Sequence, residues 1–258
     1  MTYEIRALSF SEILDTGFRL TRNHFRLLGG IAGLIYLPAS LISAYWESLL
    51  QSPATGDLDG LMTMGIALLG GGALYAVAVW PLVMTSVTYA VGELYCGRPV
   101  GIGTALREGW RLMPAVLGTG LIVMLAVIAG FLLLIVPGIY LMLSFSVIGG
   151  VMVFERTFGT EAMRRSRELM RDNLLRGLGL LVVAGLVGGV LTAAAQITLG
   201  SLPYVGALAT AAAGSAQMVF TSAINVVLYF DLRCRKEHFD LDHLAGVVAG
   251  GIQSGTPP

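Results

Sequence analysis

The chain holds 258 residues, of which 55% are hydrophobic and 12% charged, and its mean hydropathy is +0.78. A soluble domain carries about 25% charged residues, so the composition excludes a water-soluble globule and predicts an all-α integral membrane protein. Sixteen Lys and Arg against sixteen Asp and Glu leave no net charge; no nucleic-acid partner is expected, and the placement of the charges carries the information.

In chain order, Ser9-Phe10-Ser11-Glu12 reads as a capping box. Phe10, Ile13, Leu14, Gly17, Phe18, Thr21 and Phe25 then follow helical spacing with Arg19, Arg22 and Arg26 beside them. This predicts an amphipathic helix over about 9–26 that lies in the membrane interface. The first apolar run begins only near Leu27, behind a polar stretch too long and too patterned for a secretory leader, so no cleaved signal is expected.

A helix needs about 20 apolar residues to cross a ~30 Å hydrocarbon core, and on that measure six spans are predicted at 27–49, 63–91, 114–136, 138–155, 177–199 and 204–231. Pro81 marks a kink in the second. Pro137-Gly138 and Leu202-Pro203 divide otherwise continuous apolar stretches into hairpins with tight turns. Two further basic amphipathic helices precede hairpins, over about 103–113 (Leu106, Trp110 and Met113, with Arg107 and Arg111) and about 160–175. The latter is the most basic element, and Arg164, Arg165, Arg167 and Arg171 are its candidate contacts to anionic lipid head groups. Residues 1–236 thus form one membrane domain and 237–258 a cytoplasmic tail.

Every Lys and Arg falls at one end of these spans, in clusters at 6–26, 98–111, 156–176 and 233–236. Only Glu47, Asp57 and Asp59 among the acids fall at the other end. The positive-inside bias therefore places both termini in the cytoplasm of a bacterial inner-membrane protein. Cys96 and Cys234 share that reducing side and are expected to be free thiols.

Leu14-Asp-Thr-Gly17-Phe18-Arg19-Leu20, Leu106-Arg-Glu-Gly109-Trp110-Arg111-Leu112 and Met163-Arg-Arg-Ser166-Arg167-Glu168-Leu169 align as an internal repeat, giving a pseudo-threefold unit of amphipathic helix plus hairpin. Glu93, Glu155 and Asp231 recur at the exits of spans two, four and six. They read as helix anchors that pair with guanidinium groups of the next amphipathic helix, or as an acidic ring around a cation mouth. Glu47, Glu155 and Asp231 stand at span ends, and no Asp, Glu, Lys, Arg or His lies deeper inside a span, which argues against an ion-coupled carrier. Gln217, Thr221 and Asn225 share one face of the last span, as a polar path or as helix-to-helix glue. Gly29-x-x-x-Gly33 and Gly185-x-x-x-Gly189 read as intramolecular packing, with a homo-oligomer or another membrane protein left open as partner.

No Ser or Cys has a recognisable base partner, and His238-Phe-Asp240-Leu-Asp242-His243 reads as a solvated stretch without a second ligand cluster. No enzyme activity, metal or cofactor is expected. Leu8-Ser-Phe-Ser-Glu12-Ile-Leu-Asp15-x-x-Phe18-Arg19, Val136-Pro137-Gly138-Ile-Tyr140, Glu161-Ala-Met-Arg-Arg165-Ser166-Arg-Glu-Leu169 and Leu228-Tyr-Phe-Asp231-Leu-Arg233-Cys-Arg235-Lys236-Glu237 resemble a broad bacterial six-span family related to the membrane domain of glycerophosphoryl diester phosphodiesterases. The resemblance implies a six-helix inner-membrane protein. It does not carry over the fused hydrolase activity, because this chain lacks the His/Glu metal set of that enzyme. The expected role is non-catalytic: organising the membrane, or binding lipids or a partner protein. A pore for a small or lipidic solute is the alternative, and an accessory subunit of a lipid-modifying enzyme the third reading.

Overall fold

Ser9 starts the first helix as its neighbours require. Its hydroxyl accepts the Glu12 N–H at 3.4 Å, and the Glu12 carboxylate accepts the Ser9 N–H at 2.6 Å, so two otherwise orphaned donors are satisfied. The computed structural model describes residues 6–50, 65, 77 and 79–237. Helix α1 spans Phe10–Asn23 and buries Ile13, Thr16, Gly17 and Leu20. The predicted apolar stripe is therefore split: Ile13 and Gly17 pack onto the protein, while Phe18 and Phe25 are 55% and 50% exposed. The helix does not simply float in an interface; a Cβ on Gly17 would stand 3.1 Å from the Ile224 side chain.

A one-residue break at His24 leads into α2, Phe25–Leu50, which contains the first predicted span. Helix α3, Trp80–Tyr95, holds the end of the second, and Pro81 sits in its first turn, where the missing N–H costs no helical bond. Of the predicted 63–91 span, residues 63–78 other than 65 and 77 lie outside the described residues.

Helix α4 runs unbroken over Ile102–Leu133, joining the predicted 103–113 helix to the 114–136 span. At 32 residues it is about 48 Å long, so roughly three turns extend beyond a ~30 Å core. The second amphipathic segment is that extension. Pro114 lies inside it, where it lacks the N–H for one helical bond, and the helix continues through it. The chain then reverses at Leu134, not at Pro137-Gly138, because Pro137 falls in the first turn of α5, Ile135–Ser144. Leu134 is extended (φ −164°, ψ 156°), and a Cβ on Gly130 would stand 3.0 Å from the Gly138 Cα, so α4 and α5 meet backbone to backbone.

The predicted 138–155 span is interrupted at 145–147 and continues as a short helix α6, Ile148–Gly150, and a π-helix, Val151–Glu155. Helix α7, Gly159–Met170, ends before the predicted 175: Arg171 leaves helical geometry (ψ 132°) and Asp172 is left-handed (φ 73°). Helices α8, Leu174–Leu199, and α9, Pro203–Glu237, complete the chain.

Helix α9 is the hub, packing against α1, α2, α3, α7 and α8. Its Ile224, Val227, Leu228 and Leu232 meet Ile13, Leu20, Leu28, Ile31, Val87, Tyr95 and Leu180 in the buried core. The described structure is all-helical, with no strand among the described residues. Five described helical segments are long and apolar enough to span a membrane: Phe25–Ile42, Ile102–Leu133, Ile135–Glu155, Leu174–Leu199 and Tyr204–Glu237. Only 17% of the apolar window in α4 and in α8 is buried inside the protein. Helices that are apolar all round yet so little buried need hydrocarbon as solvent, and this marks the chain as a membrane protein.

Candidate functional site

Charge gathers where α3, the π-helix and α9 end. Tyr95, Phe154, Tyr229 and Phe230 form an aromatic knot there, with Tyr95–Phe230 and Phe154–Phe230 centroids 5.4 and 5.3 Å apart. Phe154 lies against Gly92, where an added Cβ would stand 2.1 Å from its ring. The knot brings together the helix ends that carry Glu93, Glu155 and Asp231.

Each of these acids meets guanidinium groups, in different ways. Glu155 accepts Arg165 Nε at 2.7 Å and Nη2 at 3.0 Å, and the Tyr229 hydroxyl donates to it at 2.9 Å. The two-pronged bond comes from α7, the following amphipathic helix. Arg165 also reaches Glu237, which pairs with Arg233 at 2.8 Å. The bonds to Glu155 raise the Arg165 pKa further above its ordinary value, so its charge is permanent. Glu93 pairs with Arg98 of the following loop at 3.3 Å.

Asp231 is fully buried and the most heavily bonded of the three. It accepts the Leu8 N–H at 2.6 Å and Arg235 Nε at 3.1 Å, and forms an ion pair with Arg176 at 3.4 Å. Arg176 and Arg235 also donate to the Leu8 carbonyl. This clasp ties the segment before α1 to the ends of α8 and α9. A carboxylate at this depth is tolerable only with such partners. Lys236 completes the shell by donating to the Glu168 and Arg171 carbonyls at 2.6 and 2.8 Å, capping the end of α7.

The four arginines of the third amphipathic segment do not share one surface. Arg165 turns inward to Glu155, and Arg164 pairs with Glu168 at 2.7 Å on the exposed side. Arg167 is exposed, with its guanidinium 5.8 Å from the Phe145 ring, and Arg171 is exposed. Exposed Arg22, Arg26 and Arg107 have no side-chain ion pair among the described residues, and Trp110, one turn after Arg107, is 68% exposed. The end of the molecule thus shows surplus cations and aromatic rings, while Glu93, Glu108, Glu155, Asp231 and Glu237 are all consumed in pairs.

Gln217, Thr221 and Asn225 do share one face of α9. They line a groove of about 200 Å³ against Leu181, Ala184 and Gly185 of α8. Gln217 lies on Gly188, where an added Cβ would stand 2.1 Å from its amide carbon. Gly185 and Gly189 have nothing within 4 Å of an added Cβ, so no described residue packs on the Gly185–Gly189 pair. Cys96 and Cys234 are free, and burial pushes the Cys96 thiol pKa up. No cluster of three or more His, Cys, Asp or Glu suited to a metal occurs among the described residues, and residues 238–243 lie outside them.

Sequence reasoning missed Tyr229, Phe154, Arg176, Arg235 and the Leu8 backbone. An aromatic next to each exit acid was the available signal, in Glu93-x-Tyr95, Phe154-Glu155 and Tyr229-Phe230-Asp231. The chain matches no protein-family model, no curated protein and no solved structure.

Proposed function

We propose that the chain is a non-catalytic bacterial inner-membrane protein that organises the membrane by binding lipids or a partner protein at its cytoplasmic face. Six spans would form three hairpins, each introduced by an interfacial helix, with both termini cytoplasmic. The one-sided Lys and Arg support that orientation. The observation that carries the reading is the surplus of exposed Arg22, Arg26, Arg107 and Arg171, without an ion pair among the described residues, together with exposed Phe18, Phe25 and Trp110. Cations beside aromatic rings suit the interface of an anionic leaflet. The kinship with the phosphodiesterase-linked membrane family stays a proposal resting on the sequence motifs.

Spin-labelled phosphatidylglycerol and phosphatidylcholine, each tested against the protein in vesicles, measure the selectivity for anionic lipid. Each surplus cation near the surface is worth about 1 kcal/mol, so Arg107→Glu with Arg171→Glu should lower selectivity several-fold. Unchanged selectivity would remove the lipid reading. The pore alternative has less support, since Gln217, Thr221 and Asn225 face a groove between two helices and the exit acids face arginines. Solute flux that falls in Gln217→Leu would restore it.

A further inference from the structure

The groove between α8 and α9 is built from two unlike walls. Leu181, Ala184 and Gly185 make one wall apolar, and Gln217, Thr221 and Asn225 make the other polar but uncharged. The three polar side chains stand at i, i+4 and i+8 and so form a line about 12 Å long, parallel to the helix axis. Among the described residues none of the three side chains hydrogen-bonds to the protein, and all are partly exposed. An unpaired amide in hydrocarbon costs several kcal/mol. No described residue satisfies these groups, so the groove has donors to offer a ligand.

Depth and charge narrow the ligand. Asn225 lies six residues before the ion-paired Asp231, about 9 Å inward along the helix, and Gln217 about 21 Å inward. The line therefore runs from just beneath the charged shell toward mid-bilayer, the depth range in which a lipid changes from ester linkage to hydrocarbon. No charged residue lines the groove, so an ion or a charged solute has no counter-charge there. Its volume of about 200 Å³ is below the roughly 300 Å³ at which pockets for whole drug-sized ligands begin, so it takes part of an elongated molecule. Gln217, Thr221 and Asn225 can all donate hydrogen bonds, and ester carbonyls only accept. At the charged end of the groove Arg176 is taken by Asp231 and the Leu8 carbonyl, and exposed Arg171 beyond it is the cation left for a phosphate.

We propose that this groove is a lipid site that holds the ester-linked glycerol region of one membrane phospholipid on Asn225, Thr221 and Gln217, with an acyl chain against Gly185. The proposal rests on reading the chain as a membrane protein, and it is independent of the head-group selectivity tested above. Gly185 has open space where a side chain would begin, so Gly185→Leu fills the groove without displacing a neighbour. Gly189 is equally open but does not line the groove, and Gly189→Leu is the matched control.

The test uses the full chain in vesicles of phosphatidylethanolamine and phosphatidylglycerol, with a trace of phospholipid carrying a diazirine near the ester end of one acyl chain. Photolabelled peptides are mapped by mass spectrometry. Labels should concentrate on Leu181–Gly185 and Gln217–Asn225. They should fall about fivefold or more in Gly185→Leu and in the double variant Gln217→Leu with Asn225→Leu, and be unchanged in Gly189→Leu. Thr221→Val, which keeps the side-chain shape, should give a smaller fall and covers the case in which a larger change fails to fold. Equal labelling of the outer residues Leu186 and Val190 would overturn the proposal. So would equal loss in Gly185→Leu and Gly189→Leu with a dimer converted to monomer, which would assign the face to a second copy of the chain. Loss of head-group selectivity with this labelling intact would overturn only the surface reading.

Discussion

The two ends of the bundle are made for different surroundings. At one end Asp231 is fully buried among Arg176, Arg235 and the Leu8 backbone, and Glu155 is bonded to Arg165 and Tyr229. At the other, Leu132, Leu134 and Val136 around the α4–α5 reversal are 82%, 70% and 77% exposed, and Leu202, Tyr204 and Val205 around the α8–α9 reversal are about half exposed. The first end is held by directional bonds in which each partner is needed by the others. The second has little side-chain packing of its own and depends on the solvent around it. Damage should therefore be severe and specific at the charged end, and mild and solvent-dependent at the apolar end.

The largest effect is expected at Asp231. Asp231→Ala leaves the largely buried Arg176 without its carboxylate and frees the exposed Arg235, a loss of about 3 kcal/mol, read as a fall in the thermal midpoint in detergent. Asp231→Asn should recover part of it, since the amide still accepts the Leu8 N–H. Next is Gly92→Ala, whose Cβ would stand 2.1 Å from the Phe154 ring. Overpacking there should cost about 1–3 kcal/mol by the same measurement and shift the near-ultraviolet circular dichroism of the aromatic knot. Lys236→Ala uncaps α7 and should cost about 1 kcal/mol, seen as faster amide exchange in the last turn of α7. Leu133→Ala, at a 76% exposed site, should change the detergent midpoint by no more than about 0.5 kcal/mol. A large effect there would mean that the apolar end is packed, and the contrast between the ends would fail.

The smallest effect concerns pH. The Ser9 N–H and the Arg6 guanidinium hold the Glu12 carboxylate down at about 2. A carboxylate depressed on folding contributes stability that is complete above its unfolded value, about 4.5, and is lost as pH falls toward about 2. Amide exchange at Ser9 and Glu12 should therefore stay slow, after correction for the intrinsic rate, at pH 4. Loss of protection already at pH 4 would contradict the capping geometry.

Local chemistry was legible wherever a motif acts within a few residues. Ser9 and Glu12 form the predicted capping box, and α8 and α9 cover the last two predicted spans. The continuity of α4 was hidden because the predicted 103–113 helix changes from amphipathic to wholly apolar at the 114–136 span, and the change of pattern marks where the helix enters the core and not where it ends. The reversal at Leu134 was placed three residues late because Pro137 is as comfortable in a first helical turn as in a loop. The direction of Arg165 was not legible, since Arg164, Arg165, Arg167 and Arg171 look alike until α7 is docked and only one of them faces Glu155. The Asp231 clasp spans 223 residues to the Leu8 backbone, and a backbone donor leaves no mark in a sequence. For the groove, the polar line of Gln217, Thr221 and Asn225 was visible, but the opposing wall of α8 was not.

The central claim is that the charged end and the apolar reversals lie on opposite sides of one membrane. In a background with Cys96 and Cys234 replaced by Ala, Glu161→Cys at the start of α7 and Ser201→Cys in the α8–α9 reversal, both exposed positions, can be probed in intact cells with a membrane-impermeant maleimide. The account predicts that Ser201→Cys labels in intact cells and Glu161→Cys only after the membrane is opened. Labelling of both positions from the same side would contradict it.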